Sequence, residues 1–599
     1  MKTDVWCFIE KSRWGWLLAQ TWLLLYMGII IAGGSWSTRD PNLFTSFYVS
    51  FSTVVLGLLC CVCRRHVKGP HVSLVGCLAG LVLLLFYLLL WKFRPEIIRE
   101  VCTCVLLFGV GMTVASKPSF RQGLYAALAG WAVLMACYGL LQLCGLFINA
   151  GEVSSPERMT HVHLVWWNPF TWSGDTFPLK GVFDNPAGLG MFLALLFPYV
   201  LECCRASRGG RWLIVLVGAV LVLSGSRTGV LATAVAAYVY FYPSLSRRWR
   251  IVLPVAGIVL LVGLYFCRPV SANGRMFVAY ITSRLAVEHP LTGSGPFGFE
   301  VGYMQEQAAY FTAHPASPWI YVADDMKQPF NEYLHFFLRF GLVGLGWAAC
   351  LLYLIYKRCK RTYDRSKRPA LASLAAVSVC ACFSYPAYYP LIGLLVVTAL
   401  SVMCAGGRSY AVTLRWQLGL IIVFSLGLCG LSATQFFQER ARLVLEQRAE
   451  SGEQTEALLQ AYEALSRTAR FRVHPSFIYN HALFLYECGH YEACLSALKR
   501  CSPYKQDYDW QMLYAYTQLH LGRKEAETAF LQASCMLPAR LQPRYELVRL
   551  YDRMGRQEDA LRCAREAMAL PMKVKNVRTE YLRRWIQRYE ADRTPLSFP

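Results

Sequence analysis

Charge is what this chain has least of. Only 16% of its 599 residues are Asp, Glu, Lys or Arg, while 55% are hydrophobic and mean hydropathy is +0.34. Soluble globular domains carry about 25% charged residues, so an ordinary soluble enzyme is excluded. No GxxxxGK[ST] sequence is present, which leaves nucleotide hydrolysis without support. The 23 cysteines include no CxxC…CxxC set. Cys60-Cys61-Val62-Cys63 and Cys203-Cys204 sit at the ends of apolar runs, where small apolar filling suits them better than a metal. Acidic residues number 37 against 60 basic ones, a formal net charge of +23. That excess does not point to nucleic acid, because the lysines and arginines gather in short linkers at alternate ends of the apolar runs. The runs also lack ionisable residues, with Glu202 and Arg339 close to their edges. A transporter or flippase with an accessory domain, the alternative class, would need such residues near the bilayer midplane.

What the chain does have is long apolar runs. Stretches of about 20 residues match the helix length a bilayer demands, and only helices or closed barrels satisfy the backbone in lipid. The expected architecture is all-α: a polytopic membrane bundle of about 13 spans over 1–433, followed by a soluble helical domain over 434–599. The spans fall near 15–33, 43–63, 72–91, 98–115, 123–147, 186–204, 211–224, 228–243, 251–267, 331–356, 369–387, 389–405 and 416–433. The first residues, MKTDVWCFIEKSRWGWLLAQ, show no small-residue cleavage site and read as a cytoplasmic start plus a first span. Basic clusters follow every even-numbered span, including Arg64-Arg65, Lys117 with Arg121, Arg247-Arg248 and the run from Lys357 to Arg368. The N-terminus is therefore expected inside. The turn from Lys92 to Arg99 is an exception, diluted by Glu96 and Glu100. This topology puts the segments 148–185, Ser224–Gly229 and 268–330, and the tail, together on the outer face.

In the tail, Gly489, Gly522 and Gly555 recur every 33 residues, each closing a helical pattern, and Pro538 and Pro571 repeat the interval. Small residues follow each glycine at Ala493, Ala526 and Ala560, although the fifth position after it holds Cys494, Glu527 and Ala560. Helix pairs of this period cannot bury their apolar faces alone and stack. The spacing resembles tetratricopeptide repeats. A concave repeat surface suits a protein partner, and it can equally brace the membrane domain. The tail's cysteines (Cys488, Cys494, Cys501, Cys535, Cys563) are odd in number, so no pairing follows from sequence.

Two polar stretches carry the residues suited to chemistry. Ser224 to Gly229 reads SGSRTG. An arginine at a span end is normally an interfacial anchor, but Arg227 lies on the face the positive-inside rule disfavours. Its neighbours Ser226 and Thr228, with two glycines, offer backbone N–H groups for an anion. The second stretch holds Arg275. Beyond it Met276–Glu288 reads as a surface helix with Phe277, Ile281 and Leu285 at helical spacing, and Arg284 on the same helix is a weaker candidate. The glycine-rich PLTGSGPFGFE (Pro290 to Glu300) follows; ordinary turn chemistry also explains it.

Four blocks in order resemble the O-antigen ligase and polymerase superfamily, polytopic glycosyltransferases that use polyprenyl-diphosphate-linked glycans. They are GVFDNPAGLGMFLALLFPY (Gly181 to Tyr199), SGSRTGVLA, GRMFVAYITSRLAVEHPLTGSGPFGF (Gly274 to Phe299) and PFNEYLHFFLRFGLVGLG (Pro329 to Gly346). The resemblance implies a GT-C-like bundle in the bacterial inner membrane, with the outer loops and the tail in the periplasm. It also implies no metal and no cofactor. Arg227 and Arg275 fall where the family has two functional arginines, whose implied task is to grip the donor diphosphate. Asn185 and Asn331, within the first and fourth blocks, join Ser226, Thr228, Arg284 and His314 as candidate substrate contacts. At the fourth block the pattern departs: where ligases show a histidine before the Asn, this chain has Phe330. Glu332 is the leading substitute for the general base; His314, Asp324, Asp325 and His335 are further candidates. The implied reaction moves a glycan from undecaprenyl diphosphate to a lipid, glycan or protein acceptor. O-antigen or surface-polysaccharide ligation leads, with protein O-oligosaccharyl transfer or polymerisation as alternatives.

Overall fold

Described residues of the computed structural model are 46–55, 95–116, 118–144, 179–205, 210–267, 269–406, 414–570, 573 and 576–593. Among them the secondary structure is helical and contains no strand, as the apolar pattern requires. The expected spans at 15–33 and 72–91, and the outer segment up to 178, lie outside the described residues. Three described helices are long and apolar enough to cross a membrane: Phe120–Leu143, Pro186–Cys204 and Glu332–Thr362. Shorter apolar helices occupy Ser46–Val55, Arg211–Leu223 and Pro390–Cys404. Helices also cover the expected spans at 98–115 and 251–267, and most of that at 369–387, where the helix ends at Phe383.

The chain divides into two compact units. One comprises Met1–Cys267 with Ala348–Phe437; the other comprises Arg268–Trp347 with Gln438–Pro599. The polar stretch expected as an outer loop of the membrane domain therefore shares a unit with the tail.

In the first unit the Pro186–Cys204 helix is almost wholly buried, packed by Pro118–Leu143, Arg227–Phe241 and Arg368–Phe383. Its small residues make this possible. A side chain at Gly190 would strike Ser226, and one at Gly229 would come within 2.8 Å of the Gly190 backbone. Such close approach is how helices associate where no hydrophobic force separates lipid from protein. On Arg211–Leu223 and Arg247–Cys267, by contrast, Trp212, Val215, Val222, Ile251, Ile258, Val259 and Phe266 are exposed. An apolar surface of that extent calls for lipid cover. The basic run near Lys357 has a second use besides topology. Lys367, buried, donates to the carbonyls of Thr362 (2.6 Å) and Ala405 (2.6 Å), and Arg358 donates to those of Cys404 (3.2 Å) and Gly406 (2.6 Å). Cations thus satisfy the open carbonyls where Pro390–Cys404 ends.

In the second unit the tail forms three helix pairs: Pro475–Glu487 with Tyr491–Cys501, Tyr508–His520 with Glu525–Met536, and Gln542–Arg553 with Gln557–Ala569. Gly489, Gly522 and Gly555 all adopt left-handed φ (79°, 67° and 73°). The residue after each donates back to the carbonyl five residues before it: His490 to Leu485, Arg523 to Gln518, Arg556 to Tyr551. This is a repeated helix-closing motif that glycine adopts without strain, so the 33-residue period has a conformational cause. The expectation for small residues needs one correction: Ala526 and Ala560 are buried, but in the first pair Ala493 is exposed and Cys494 takes the interior place.

The polar stretch is more helical than its sequence suggests. A helix runs Pro269–Glu288, begins before Arg275 and buries Phe277, Ile281 and Leu285. A second, Gly298–Ala313, follows the glycine-rich turn and packs against Glu525–Met536 of the repeats. Glu332–Thr362 is broken at Gly341 (φ 60°, ψ −162°). The glycine-rich turn explains itself there. Ser294 N–H donates to Leu338 (2.7 Å) and Gly295 N–H to Arg339 (3.3 Å), while Leu342 N–H donates to Pro290 (2.9 Å) and Val343 N–H to Leu291 (3.1 Å). The turn thus pairs the backbone groups that the break would leave open.

Candidate functional site

Arg227 opens the Arg227–Phe241 helix and is half-buried. Ser226 is its N-cap, the hydroxyl oxygen accepting from Gly229 N–H at 3.1 Å. Ser224 Oγ donates to Leu221 O (2.7 Å) and accepts from Ser226 N–H (3.3 Å), and Gly225 holds φ 66°. The serines therefore shape a tight turn that delivers Arg227 at a helix N-terminus, where a positive dipole end favours an anion. Ser226 and Thr228 are both buried, so their part is in the turn that carries Arg227. Asn185 is likewise a cap: its Oδ1 accepts from Gly188 N–H (3.0 Å), and its Nδ2 donates to the hydroxyls of Tyr385 (3.0 Å) and Tyr389 (2.8 Å). Tyr389 in turn donates to Asp184 (2.8 Å).

Arg275 stands in the second unit, half-buried on the Pro269–Glu288 helix. Its guanidinium carbon lies 5.1 Å from the centroid of the Phe330 ring, a cation–π arrangement. Phe330 has φ 54°, and among the described residues it is the one non-glycine with positive φ. A bulky residue there carries strain of about 1–3 kcal/mol, held by its surroundings. The position expected to hold a histidine thus holds a ring that steadies Arg275. Asn331 caps the next helix, its Oδ1 accepting from Leu334 N–H at 3.0 Å. Glu332 follows in the first turn, with one carboxylate oxygen 3.8 Å from His335 Nδ1. His335 is buried, its Nε2 without a hydrogen-bond partner, and its ring lies edge-on to Phe299.

The remaining candidates are more committed. Arg284 forms an ion pair with Glu306 (2.6 Å) on the neighbouring helix. His314 ends the Gly298–Ala313 helix, stacked on Tyr310 and with Nδ1 3.0 Å from that residue's carbonyl oxygen. Asp324 meets Lys573 (3.2 Å), and Asp325 and Asp507 share Lys327 (2.7 Å each). Asp325, Asp507 and Asp509 lie close enough together to hold a cation; here the Lys327 ammonium sits between two of them. Burial alone would lower that ammonium, but Asp507 and Asp325 outweigh it and push it up to about 12. Burial also raises Asp325 above the ordinary carboxylate value, although Lys327 opposes it. For Asp507 burial acts upward too, and Lys505 and Lys327 overcome it to leave the carboxyl lowered.

The sequence brought out both arginines. It did not reveal that Phe330 underlies Arg275, that Lys327 ties the stretch to the repeats, or that Gly341 breaks its helix. The signals were a phenylalanine where a histidine was expected and glycines at both Gly293 and Gly341.

Residues 212–349 match the family model described as O-antigen ligase. The match spans Arg227, Arg275 and Glu332, and with the all-helical apolar fold it supports the O-antigen ligase and polymerase superfamily for this segment. Among curated proteins none matches the chain. At the family level the activity is glycan transfer of the O-antigen ligase or polymerase kind, in a membrane, from a lipid-linked donor.

Proposed function

We propose that the protein transfers a glycan from undecaprenyl diphosphate to an acceptor hydroxyl on the periplasmic face of the bacterial inner membrane, as a surface-polysaccharide ligase. The observation that carries this is the family match across a segment in which both Arg227 and Arg275 are presented by helices, the first at an N-terminus and the second against an aromatic ring. In the reaction the acceptor oxygen forms a bond to the anomeric carbon as the bond from that carbon to the diphosphate oxygen breaks. The electron pair leaves with the lipid diphosphate. Both guanidiniums bind that diphosphate and stabilise the charge that develops on it, Arg275 with its planar face steadied by Phe330. Glu332 accepts the proton of the acceptor hydroxyl, and His335 beside it orients the carboxylate. No metal is required in this scheme. The tail, a tetratricopeptide-like domain, serves the transferase from the periplasm.

A second acceptor class has support from one feature. A helical repeat domain in the same unit as Arg275 suits a protein acceptor, which would make the enzyme an O-oligosaccharyltransferase. Comparing surface glycolipids and glycoproteins of cells with and without the gene decides between them. Loss of glycan from the lipid fraction supports the ligase, loss from protein supports the second reading, and loss from neither refutes both.

A further inference from the structure

The stretch that carries Phe330 is fastened to the repeat domain. Lys327, three residues before Phe330, bridges Asp325 of its own segment and Asp507, the N-cap of the second repeat pair, at 2.7 Å each. Lys505 adds a contact to Asp507 at 3.2 Å. A second fastening lies upstream: Lys573 donates to Ala323 O at 2.7 Å and meets Asp324 at 3.2 Å. The helix between Arg275 and this segment is held as well. Gln307 Nε2 donates to Met536 O at 2.6 Å, Gln506 N–H to Glu300 O at 3.1 Å, and one apolar core runs from Phe277, Phe299 and Tyr303 to Phe530, Met536 and Tyr545. The two carboxylates are mostly buried, 11% and 9% exposed, while the Lys327 side chain that joins them is 60% exposed, so salt screens the bridge only in part.

We propose that Lys327 is a positioning residue: through its bridge to Asp507 the repeat domain holds Phe330 in its left-handed conformation and thereby fixes Arg275 for the donor diphosphate. The inference rests on the donor reading given above. The repeat domain is then part of the donor site's framework rather than a separate recruiting module. The physical chain is short. Phe330 is kept at φ 54° by what surrounds it, and a residue so strained relaxes when a nearby anchor is released. The bridge is that anchor, and the ring that relaxes is the one under the Arg275 guanidinium. A displacement of about 1 Å in a group that grips a reacting phosphate suffices to cost about 100-fold in rate.

The test uses the full-length protein in detergent micelles and undecaprenyl diphosphate as the probe, with binding measured by thermophoresis and folding by melting temperature. Lys327→Met keeps the stem and removes the charge; it is expected to weaken binding about tenfold, the scale of one charge-assisted hydrogen bond. Asp507→Asn should give a similar loss from the repeat side, and Lys327→Arg, which still bridges two carboxylates, should restore binding. In an Arg275→Lys background Lys327→Met should cost nothing more. A merely structural Lys327 would weaken binding equally in both backgrounds, and that result overturns the proposal. So does wild-type binding by folded Lys327→Met while Arg275→Lys is impaired, which leaves the donor reading intact. Unchanged binding by Arg275→Lys overturns the donor reading and this proposal together.

Discussion

Gly341→Ala puts the account of the glycine-rich turn at risk. The alanine would have to adopt φ 60°, ψ −162°, a region almost confined to glycine that costs about 1–3 kcal/mol. Its Cβ would also stand 2.7 Å from Gly293 N and nearer still to the Leu291 carbonyl, both backbone atoms. No rotamer relieves such a contact, so the turn has to withdraw. The withdrawal opens the four backbone hydrogen bonds between Pro290–Gly295 and Leu338–Val343, each worth about 1 kcal/mol. The sum is about 5–7 kcal/mol, in the range that marks a strained site rather than a surface change. Gly346→Ala in the same helix meets nothing within 4 Å and should be neutral or stabilising by about 0.5–1 kcal/mol. Melting of the full-length protein in micelles, with hydrogen exchange at Ser294, Leu342 and Val343, reads both variants. If Gly341→Ala melts like wild type and these amides keep their protection, the turn does not seal the helix break and its glycines need another explanation.

Other consequences are as direct. His481 is buried and stacked on Tyr462; burial, aided by the Arg500 charge, lowers it to about 4. A histidine whose folded value lies below its ordinary 6.5 must charge on unfolding. Its stability contribution is therefore full above about pH 6.5 and is lost as pH falls towards 4, by about 3 kcal/mol. His481→Phe should flatten the pH dependence of melting in that window, and an unchanged slope would remove His481 as its source. Glu439, wholly buried, pairs with Arg442 (2.5 Å) and Arg470 (2.8 Å); Glu439→Ala should cost about 3 kcal/mol by taking a buried carboxylate from Arg470 and leaving Arg442 with Glu446, seen as a drop in melting temperature. Asp507 is lowered, so its bridge to Lys327 holds above the ordinary carboxylate value of about 4 and fails as pH falls below it; donor binding should track that loss. Arg284→Ala should bind undecaprenyl diphosphate as wild type, since its guanidinium is committed to Glu306; a large loss would return it to the site.

Much of the fold was legible in the sequence because two periodicities are loud. Apolar runs of bilayer length announce helices whatever packs beside them, and the 33-residue glycine spacing has a local cause, the left-handed closure after Tyr486, Leu519 and Asp552. The grouping of 268–347 with the tail was not legible, because it depends on pairings between residues 180 and 250 positions apart, such as Lys327 with Asp507 and Ala323 with Lys573. Short polar residues hide a structural part for a related reason. Ser226, Asn185 and Asn331 look like ligands in a motif, and each caps a helix, a role open to Ser and Asn at any helix start. Long-range packing also decides Phe330: nothing local announces that a phenylalanine will sit at positive φ beneath an arginine.

The central claim is that Arg227 and Arg275 together hold the diphosphate that leaves. Purified full-length protein, an undecaprenyl-diphosphate-linked glycan and isolated cell-surface acceptor fractions allow it to be measured as glycan transferred per unit time. The account predicts that Arg227→Ala and Arg275→Ala, each folded with wild-type melting behaviour, lower transfer by about 100-fold or more. Transfer at the wild-type rate by both variants would contradict it.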